Sequence, residues 1–284
     1  MIIESLIRLA EGGFQIRDYQ YTGFGSIFFI DFILFRKYLG MTNMLSIEHS
    51  QKVKKRVSFN KPYGMIRLEF GEAAEFIPKL DQDLKHLLWL DYDAFLNSEM
   101  ISDIRTAAAS LSLGSILLIT VDIESPAETP KERQQFFRSE AGDLFDDSPV
   151  RQSALGEVNA KILENAIKNG LAGRTNAEFS QLYNFVYADG HRMLTFGGMI
   201  VGDGEKRKLS SCKLEDACYV RRNLKLGPFE IKPPVLTRKE RMYLDACMPC
   251  EDEWEPEEFE IANEALIHYR DIYPFFPLYV ETLI

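Results

Sequence analysis

Apolar residues recur along the chain in two rhythms. Ile2, Ile3, Leu6, Ile7, Leu9 and Ala10 follow a helical repeat that stops at Gly12-Gly13. Residues 14–22 alternate well enough for a first strand, and a glycine turn, Gly23-Phe24-Gly25-Ser26, follows. Residues 27–38 are dense in apolar side chains and predict a largely buried helix stopped by Gly40. Residues 44–48 read as a second strand, 51–59 as a short basic helix, 66–70 as a third strand and 71–78 as a helical turn. Residues 86–90 form a continuous apolar strand that leads into Asp91-Tyr92-Asp93. One helical face then carries Met100, Ile101, Ile104, Ala107, Ala108 and Leu111, with Ser98 as its expected cap, before a fifth apolar strand at 114–121. Unbroken apolar strands separated by helices predict an α/β fold with a doubly wound parallel sheet covered on both faces.

The rhythm changes over residues 124–152, where Pro126, Pro130, Pro149 and the cluster Asp143, Asp146 and Asp147 suggest a mobile, acidic insertion, a substrate lid. A helix is expected at 155–167, ended by Asn169-Gly170. Two apolar runs, 179–187 and 192–201, joined at Asp189-Gly190, carry the signal of a β-hairpin, with Gly197-Gly198 as a bulge. In the tail, Thr237 with Glu240 three residues on reads as a capped helix. A second helical run covers 261–269, and the chain closes on an aromatic stretch at 273–279 that suits packing. The expected division is a domain over 1–204 and a helical appendage or substrate-facing subdomain over 205–284.

Composition narrows the function classes. A net charge of −10 weighs against a broad phosphate-neutralising surface. Lys52, Lys54, Lys55 and Arg56, and the run Lys206-Arg207-Lys208, read as ordinary solvated surface, so nucleic acid is the weaker partner class. The longest apolar stretch is broken by Asp31 and falls short of the ~20 residues that span a bilayer, so a soluble, cytoplasmic protein without membrane attachment is expected. The four cysteines, Cys212, Cys218, Cys247 and Cys250, have spacings irregular for a zinc ribbon and are expected as incidental reduced thiols. His86, His191 and His268 are scattered, and core or surface roles suffice for them.

The chemistry centres on residues 19–48. A glycine turn between strand and helix lets backbone amides approach a ligand, and Glu48 lies 23 residues after Gly25 at the end of the next strand, where a carboxylate can hold both ribose hydroxyls. Phe28 stands where a dinucleotide fingerprint needs a small residue, and no glycine-lysine-serine or threonine ending marks a P-loop. A nucleoside without a pyrophosphate remains.

On these residues the chain resembles the class I S-adenosylmethionine-dependent methyltransferases, bacterial O-methyltransferases in particular, over about residues 14–202. Gly23-Phe24-Gly25-Ser26 is similar to that family's first motif, and Glu48 to its ribose-binding acid. Gly71-Glu72-Ala73 resembles the turn that contacts adenine, Leu90-Asp91-Tyr92-Asp93 the fourth-strand motif beside the methyl group, and the hairpin the antiparallel last pair of strands. The resemblance implies a Rossmann-like seven-stranded, mostly parallel sheet with a terminal antiparallel hairpin and helical additions at both ends. S-adenosylmethionine is the implied cofactor.

Tyr21 stands where the family often has an acid that meets the methionine amino group, which gives Tyr21 a place in the cofactor set and leaves Asp18 or Asp31 as substitutes. The proline-rich signature of base amino-group methylation is absent, which favours an O-methyl acceptor of unidentified nature. Asp91 is expected to position cofactor or acceptor, and Asp93 and His49 are candidate bases; His49 fits equally as a polar neighbour of the ribose. A divalent ion held by Asp91, Asp93 and Asp122 is the weaker reading, and no metal site is assigned. A binding or assembly module that has lost transfer activity and a nucleic-acid methyltransferase are the alternative functions, and self-association into a homo-oligomer is left open.

Overall fold

The computed structural model describes residues 1–276. It divides into two compact units, Met1–Phe229 and Glu230–Ile284. In chain order the first unit holds α1 (Ile2–Glu11), β1 (Gln20–Phe24), α2 (Ile30–Leu39), β2 (Met44–Glu48), α3 (Lys54–Asn60), β3 (Ile66–Phe70), the short α4 (Ala73–Phe76), β4 (His86–Phe95), α5 (Ser98–Ser110), β5 (Ile116–Asp122), α6 (Pro130–Ala141), α7 (Leu155–Leu171), β6 (Glu178–Asp189), β7 (His191–Val201) and α8 (Asp203–Ser211). Phe229 opens a three-residue strand, β8 (Phe229–Ile231), so among the described residues the sheet has eight strands where seven are expected, in the order β3-β2-β1-β4-β5-β7-β6-β8. Strands β1 to β5 run parallel and β7 is antiparallel to both β5 and β6, the Rossmann-like arrangement with its terminal hairpin. Every residue of β5 is buried, as a central strand covered on both faces requires.

The first strand begins later than the alternation suggests. A 3-10 turn takes Ile16–Asp18, and the strand starts where the Gln20 and Tyr21 amides meet the carbonyls of Lys85 and Asn43, each at 2.9 Å. Gly23 and Phe24 are therefore strand residues, and the loop proper is 25–29. Helix α2 then starts at Ile30 and buries only Phe32 and Phe35, so it is half-exposed rather than largely buried; Phe28, Ile30 and Tyr38 face solvent. Its cap, Phe29, takes the left-handed conformation at φ 50°, and its wholly buried ring meets Phe32 edge-on. Burial of that ring holds a backbone geometry that a bulky residue rarely adopts.

Other differences have equally local causes. Strand β4 runs on through Asp91-Tyr92-Asp93 to Phe95. The cap of α5 is Asn97, whose side chain accepts from the Met100 amide at 3.0 Å, one residue before the expected Ser98. Gly170 lies inside α7, because a side chain there would collide with the Arg105 carbonyl of α5; it is a helix-crossing residue, not a stop. The stretch expected as a mobile lid contains α6, opened by a reciprocal Thr129–Glu132 cap. Buried Arg133 pins it by donating to the carbonyls of Val150, Ala127 and Glu128 at 2.8–3.0 Å, and Phe137, Leu144, Phe145 and Val150 enter the main core. Along the β6–β7 ladder the extra residue falls on β6, at Leu182; Gly197 and Gly198 are the partners across which the neighbouring backbones of β5 and β6 pass too closely for a side chain.

The second unit has its own small core. Helix α9 (Arg238–Cys247) is capped by Thr237 and Glu240 as expected, and α10 (Asn263–Ile272) follows. Leu244, Leu266 and Tyr269 are buried among Trp254, Phe259, Tyr273 and Phe276. Residues 277–279 of the aromatic stretch lie outside the described residues. Among the described residues no helix is long and apolar enough to cross a membrane.

Candidate functional site

Parallel strands all point their carboxyl ends at one edge, and in such sheets that edge binds ligands where the strand order reverses. Here the reversal lies between β1 and β4, which leave the sheet centre in opposite directions. Gly23, one residue before the end of β1, lies beside Ser46 of β2 on one side and Trp89 of β4 on the other. A Cβ on Gly23 would collide with the Tyr21 hydroxyl, and one on Gly25 would come within 2.9 Å of Glu48 Oε2. Two glycines thus keep the strand tip free of side chains next to a carboxylate. Glu48 is nearly buried, and its Oε1 accepts the Ser50 amide at 2.9 Å while Oε2 faces Gly25. A ribose with two adjacent hydroxyls could donate to this carboxylate, whose Oε2 lies beside a glycine rather than a side chain.

Behind the glycines lies a cluster of acids and hydroxyls. Tyr21, buried, donates its hydroxyl to Asp31 Oδ2 in the first turn of α2. Burial pushes the Asp31 carboxyl up to about 6, with the Asp91 charge adding to the rise, against the pull of the Tyr21 hydroxyl and the Phe32 and Asp31 amides. The Tyr21 phenol is held well above its ordinary value by burial and by Asp31. Asp91 is reached by solvent yet sits among enough protein that desolvation raises its carboxyl; Asp93 adds to this and a hydrogen bond to Thr120 opposes it. That threonine belongs to a chain of donors: Trp89 Nε1 donates to Thr120 Oγ1 at 2.9 Å, Thr195 Oγ1 is 2.9 Å from Thr120 Oγ1, and the Tyr187 hydroxyl is 3.3 Å from Thr195 Oγ1.

Farther along the same edge, Asp122 ends β5 and His191 starts β7. His191 Nδ1 lies 3.6 Å from Asp122 Oδ2 and 3.4 Å from Glu124 Oε2, and the backbone locks both acids: the Glu124 amide donates to Asp122 at 2.7 Å and the Arg192 amide to Glu124 at 3.2 Å.

The residues singled out from the sequence fall into two places. Tyr21, Gly23, Phe24, Gly25, Ser26, Glu48 and Asp91 share the carboxyl ends of β1, β2 and β4 and the loop after β1. His49 is placed beside Glu48, its Nδ1 3.6 Å from Oε1, with β1 between it and β4. Gly71 donates its amide to the Glu48 carbonyl at 3.0 Å, which brings 71–73 next to β2, and Glu72 serves as the N-cap of α4 in a reciprocal cap with Glu75. Tyr92 meets Phe24 edge-on at 5.0 Å and donates to Asp103 at 2.9 Å, so its phenol is raised by burial and by that acid. Asp18 lies at the opposite end of β1 and is remote from the site; Asp31 is the acid that reaches Tyr21. Thr120, Thr195, Tyr187 and Glu124 were missed by the sequence reading, which named Asp122 only in its weaker metal reading and His191 only as a scattered histidine without a partner. Thr120 and Asp122, two polar residues of one parity in an otherwise apolar strand, were the available signal. Among the described residues no group of three histidine, cysteine, aspartate or glutamate side chains is arranged to hold a metal ion.

A family model described as "Putative O-methyltransferase" matches residues 1–284. Among solved structures, cofactor-bound Rv0187 from MTB is similar at 12% identity and TM-score 0.38, covering 72% of this chain and 82% of that one. The O-methyltransferase TomG of Streptomyces achromogenes, solved with S-adenosylmethionine, is similar at 12% identity and TM-score 0.39, covering 70% and 80%. Trm1 of Pyrococcus horikoshii, also solved with that cofactor, gives 16%, TM-score 0.46, and 73% of this chain against 57% of its own. No curated protein matches the chain. The family model spans every residue, and the chain accordingly belongs to this O-methyltransferase family.

Proposed function

We propose that the carboxyl edge between β1, β2 and β4 is the cofactor and transfer site, and that the acceptor is a hydroxyl compound. The observation that carries this reading is the pair of glycines, Gly23 and Gly25: a side chain on the first would strike the Tyr21 hydroxyl and crowd Asp31, and one on the second would crowd Glu48 Oε2. Glu48 takes the ribose hydroxyls, and the 71–73 turn and Phe24 flank the base. Asp31, steadied by Tyr21, takes the methionine ammonium that the family usually gives to an acid at position 21. Bound there, the cofactor supplies a sulfonium methyl group.

On the acceptor side, Asp91 accepts the hydroxyl proton. A carboxyl raised by desolvation is closer in basicity to its task than an ordinary aspartate, and Thr120 orients it. Asp93 is the neighbouring acid that adds to this, and His49 belongs to the ribose side. Residues 1–204 are assigned to cofactor binding and 205–284 to a helical, substrate-facing part. A cytoplasmic location belongs to the same proposal.

The test is a native mass measurement of the purified chain for retained S-adenosylmethionine or S-adenosylhomocysteine, followed by tritium-methyl transfer into fractionated small molecules. Label in base-stable methyl ether products is expected. Transfer only to nitrogen of nucleic-acid bases contradicts the hydroxyl assignment.

A further inference from the structure

The two basic runs of the sequence end in different states. In the run 206–208, Lys206 pairs with Glu178 at 2.6 Å, Arg207 donates to the Asp203 carbonyl at 3.3 Å, and Lys208 stands 5.9 Å over the Phe14 ring. The run at 52–56 lacks such partners. Lys52 lies in the 3-10 turn Gln51–Val53 that leads into α3, and Lys54, Lys55 and Arg56 form the first turn of that helix. All four are exposed. Lys54 stands 4.9 Å over the Phe70 ring, while Lys52, Lys55 and Arg56 make no hydrogen bond, ion pair or ring contact among the described residues. Helix α3 buries only Val57, and Phe59 is 87% exposed. Side chains three and four residues apart on a helix are neighbours, so Phe59 shares its face with Arg56 and Lys55. Between positions 49 and 68 the sequence has six Lys and Arg and no Asp or Glu. The net charge of −10 is carried mostly elsewhere, because residues 230–284 hold 13 acids against five bases.

We propose that α3 and the turn before it form a docking surface for single-stranded nucleic acid, in which Phe59 stacks on a base and Lys52, Lys55 and Arg56 take neighbouring phosphates. Charge complementarity selects this occupant. A single strand brings one negative charge per nucleotide and a flat face on every base, which one exposed ring among unpaired cations matches. Protein interfaces are depleted in lysine, whereas nucleic-acid interfaces are strongly positive. A helix that lies on a membrane surface presents a whole apolar face, and the outward side of α3 has one ring. Docking there requires neither the cofactor nor the acceptor assignment made above.

Fluorescence anisotropy of a labelled single-stranded RNA of mixed sequence, titrated with the full chain over a series of salt concentrations, tests this. Binding that weakens with salt is expected, and a plot of log affinity against log salt should have a slope of about −2 for three phosphate contacts. Phe59→Ala should weaken binding roughly tenfold. Lys55→Gln combined with Arg56→Gln should also weaken it and make the slope shallower by about 1.4. Lys206→Gln combined with Lys208→Gln should leave affinity and slope unchanged, and circular dichroism confirms that each variant is folded. Absence of binding at low salt, wild-type affinity in the Phe59 and Lys55–Arg56 variants, or a loss in the Lys206–Lys208 variant would overturn the proposal. So would tighter binding of polyglutamate or of phosphatidylserine vesicles than of the RNA.

Discussion

At the tips of β1 and β2 the chemistry sits in neighbouring residues: Gly23 to Ser26 and then Glu48, brought together by one strand–helix–strand crossover. At the tips of β4, β5, β6 and β7 it is assembled from Asp91, Thr120, Asp122, Tyr187, His191 and Thr195, which span about a hundred residues and meet only once the antiparallel hairpin has closed on β5. The first half works through missing side chains and a nearly buried acid. The second works through a hydrogen-bonded series of hydroxyls and a locked acid–imidazole group. On the proposed assignment, a nucleoside common to a whole family needs the same few contacts, which a local motif supplies, whereas the acceptor is met by residues that the sheet alone brings together.

The largest effect that separates the halves is on folding. Gly198→Ala puts a Cβ into the Ser180 carbonyl, and its other neighbour, Gln181 Cα, is also backbone that cannot swing aside. A loss of about 4 kcal/mol or more in denaturant unfolding is expected, because β7 must move away from β6 within the hairpin. Glu48→Ala should leave folding nearly unchanged and weaken S-adenosylmethionine by about a hundredfold in calorimetry. Two charge-assisted hydrogen bonds, at about 1.5 kcal/mol or more each, account for that size.

Asp31 links the halves through pH. Its folded carboxyl, at about 6, lies above its unfolded value of 3.8, so the native state holds the proton more tightly. This contribution to stability is fully present below pH 3.8 and is lost as pH rises to 6, by up to roughly 3 kcal/mol. A cationic ammonium favours the charged form. Cofactor affinity should therefore rise with pH through about 6 and level off above it. Asp31→Asn should flatten that profile, weaken binding at pH 8 by about tenfold, and stabilise the free protein at pH 7. Tyr21→Phe removes the hydroxyl that opposes the rise, so the midpoint should move to higher pH. The smallest effect is Thr195→Val, which breaks the series between Tyr187 and Thr120 at a cost of about 1 kcal/mol in unfolding, with cofactor affinity unchanged.

What could be read from the sequence follows the same division. Parallel strands buried on both faces announce themselves as unbroken apolar runs, and the hairpin through Asp189-Gly190, so the sheet and its topology were legible. Glu48 and the glycines were legible because their spacing is local. Asp31 was visible only as one of two substitutes for an acid at position 21, because choosing it over Asp18 needs the direction of β1. The acid–imidazole group was not legible: His191 has no partner at helical or strand spacing, and its carboxylates come from the far end of another strand. The 124–152 stretch looked mobile because its prolines and acids are those of a loop. What orders it is a buried arginine that collects carbonyls no local pattern reveals, together with Phe137, Leu144, Phe145 and Val150 in the main core.

Titration calorimetry of S-adenosylmethionine into the wild-type chain and Glu48→Ala at pH 8 tests the central claim most directly. One site per chain in the wild type, weakened about a hundredfold in the variant with the fold intact by circular dichroism, is the predicted result. No heat of binding in the wild type, or equal affinity in the two proteins, would contradict the placement of the cofactor at Gly23, Gly25 and Glu48.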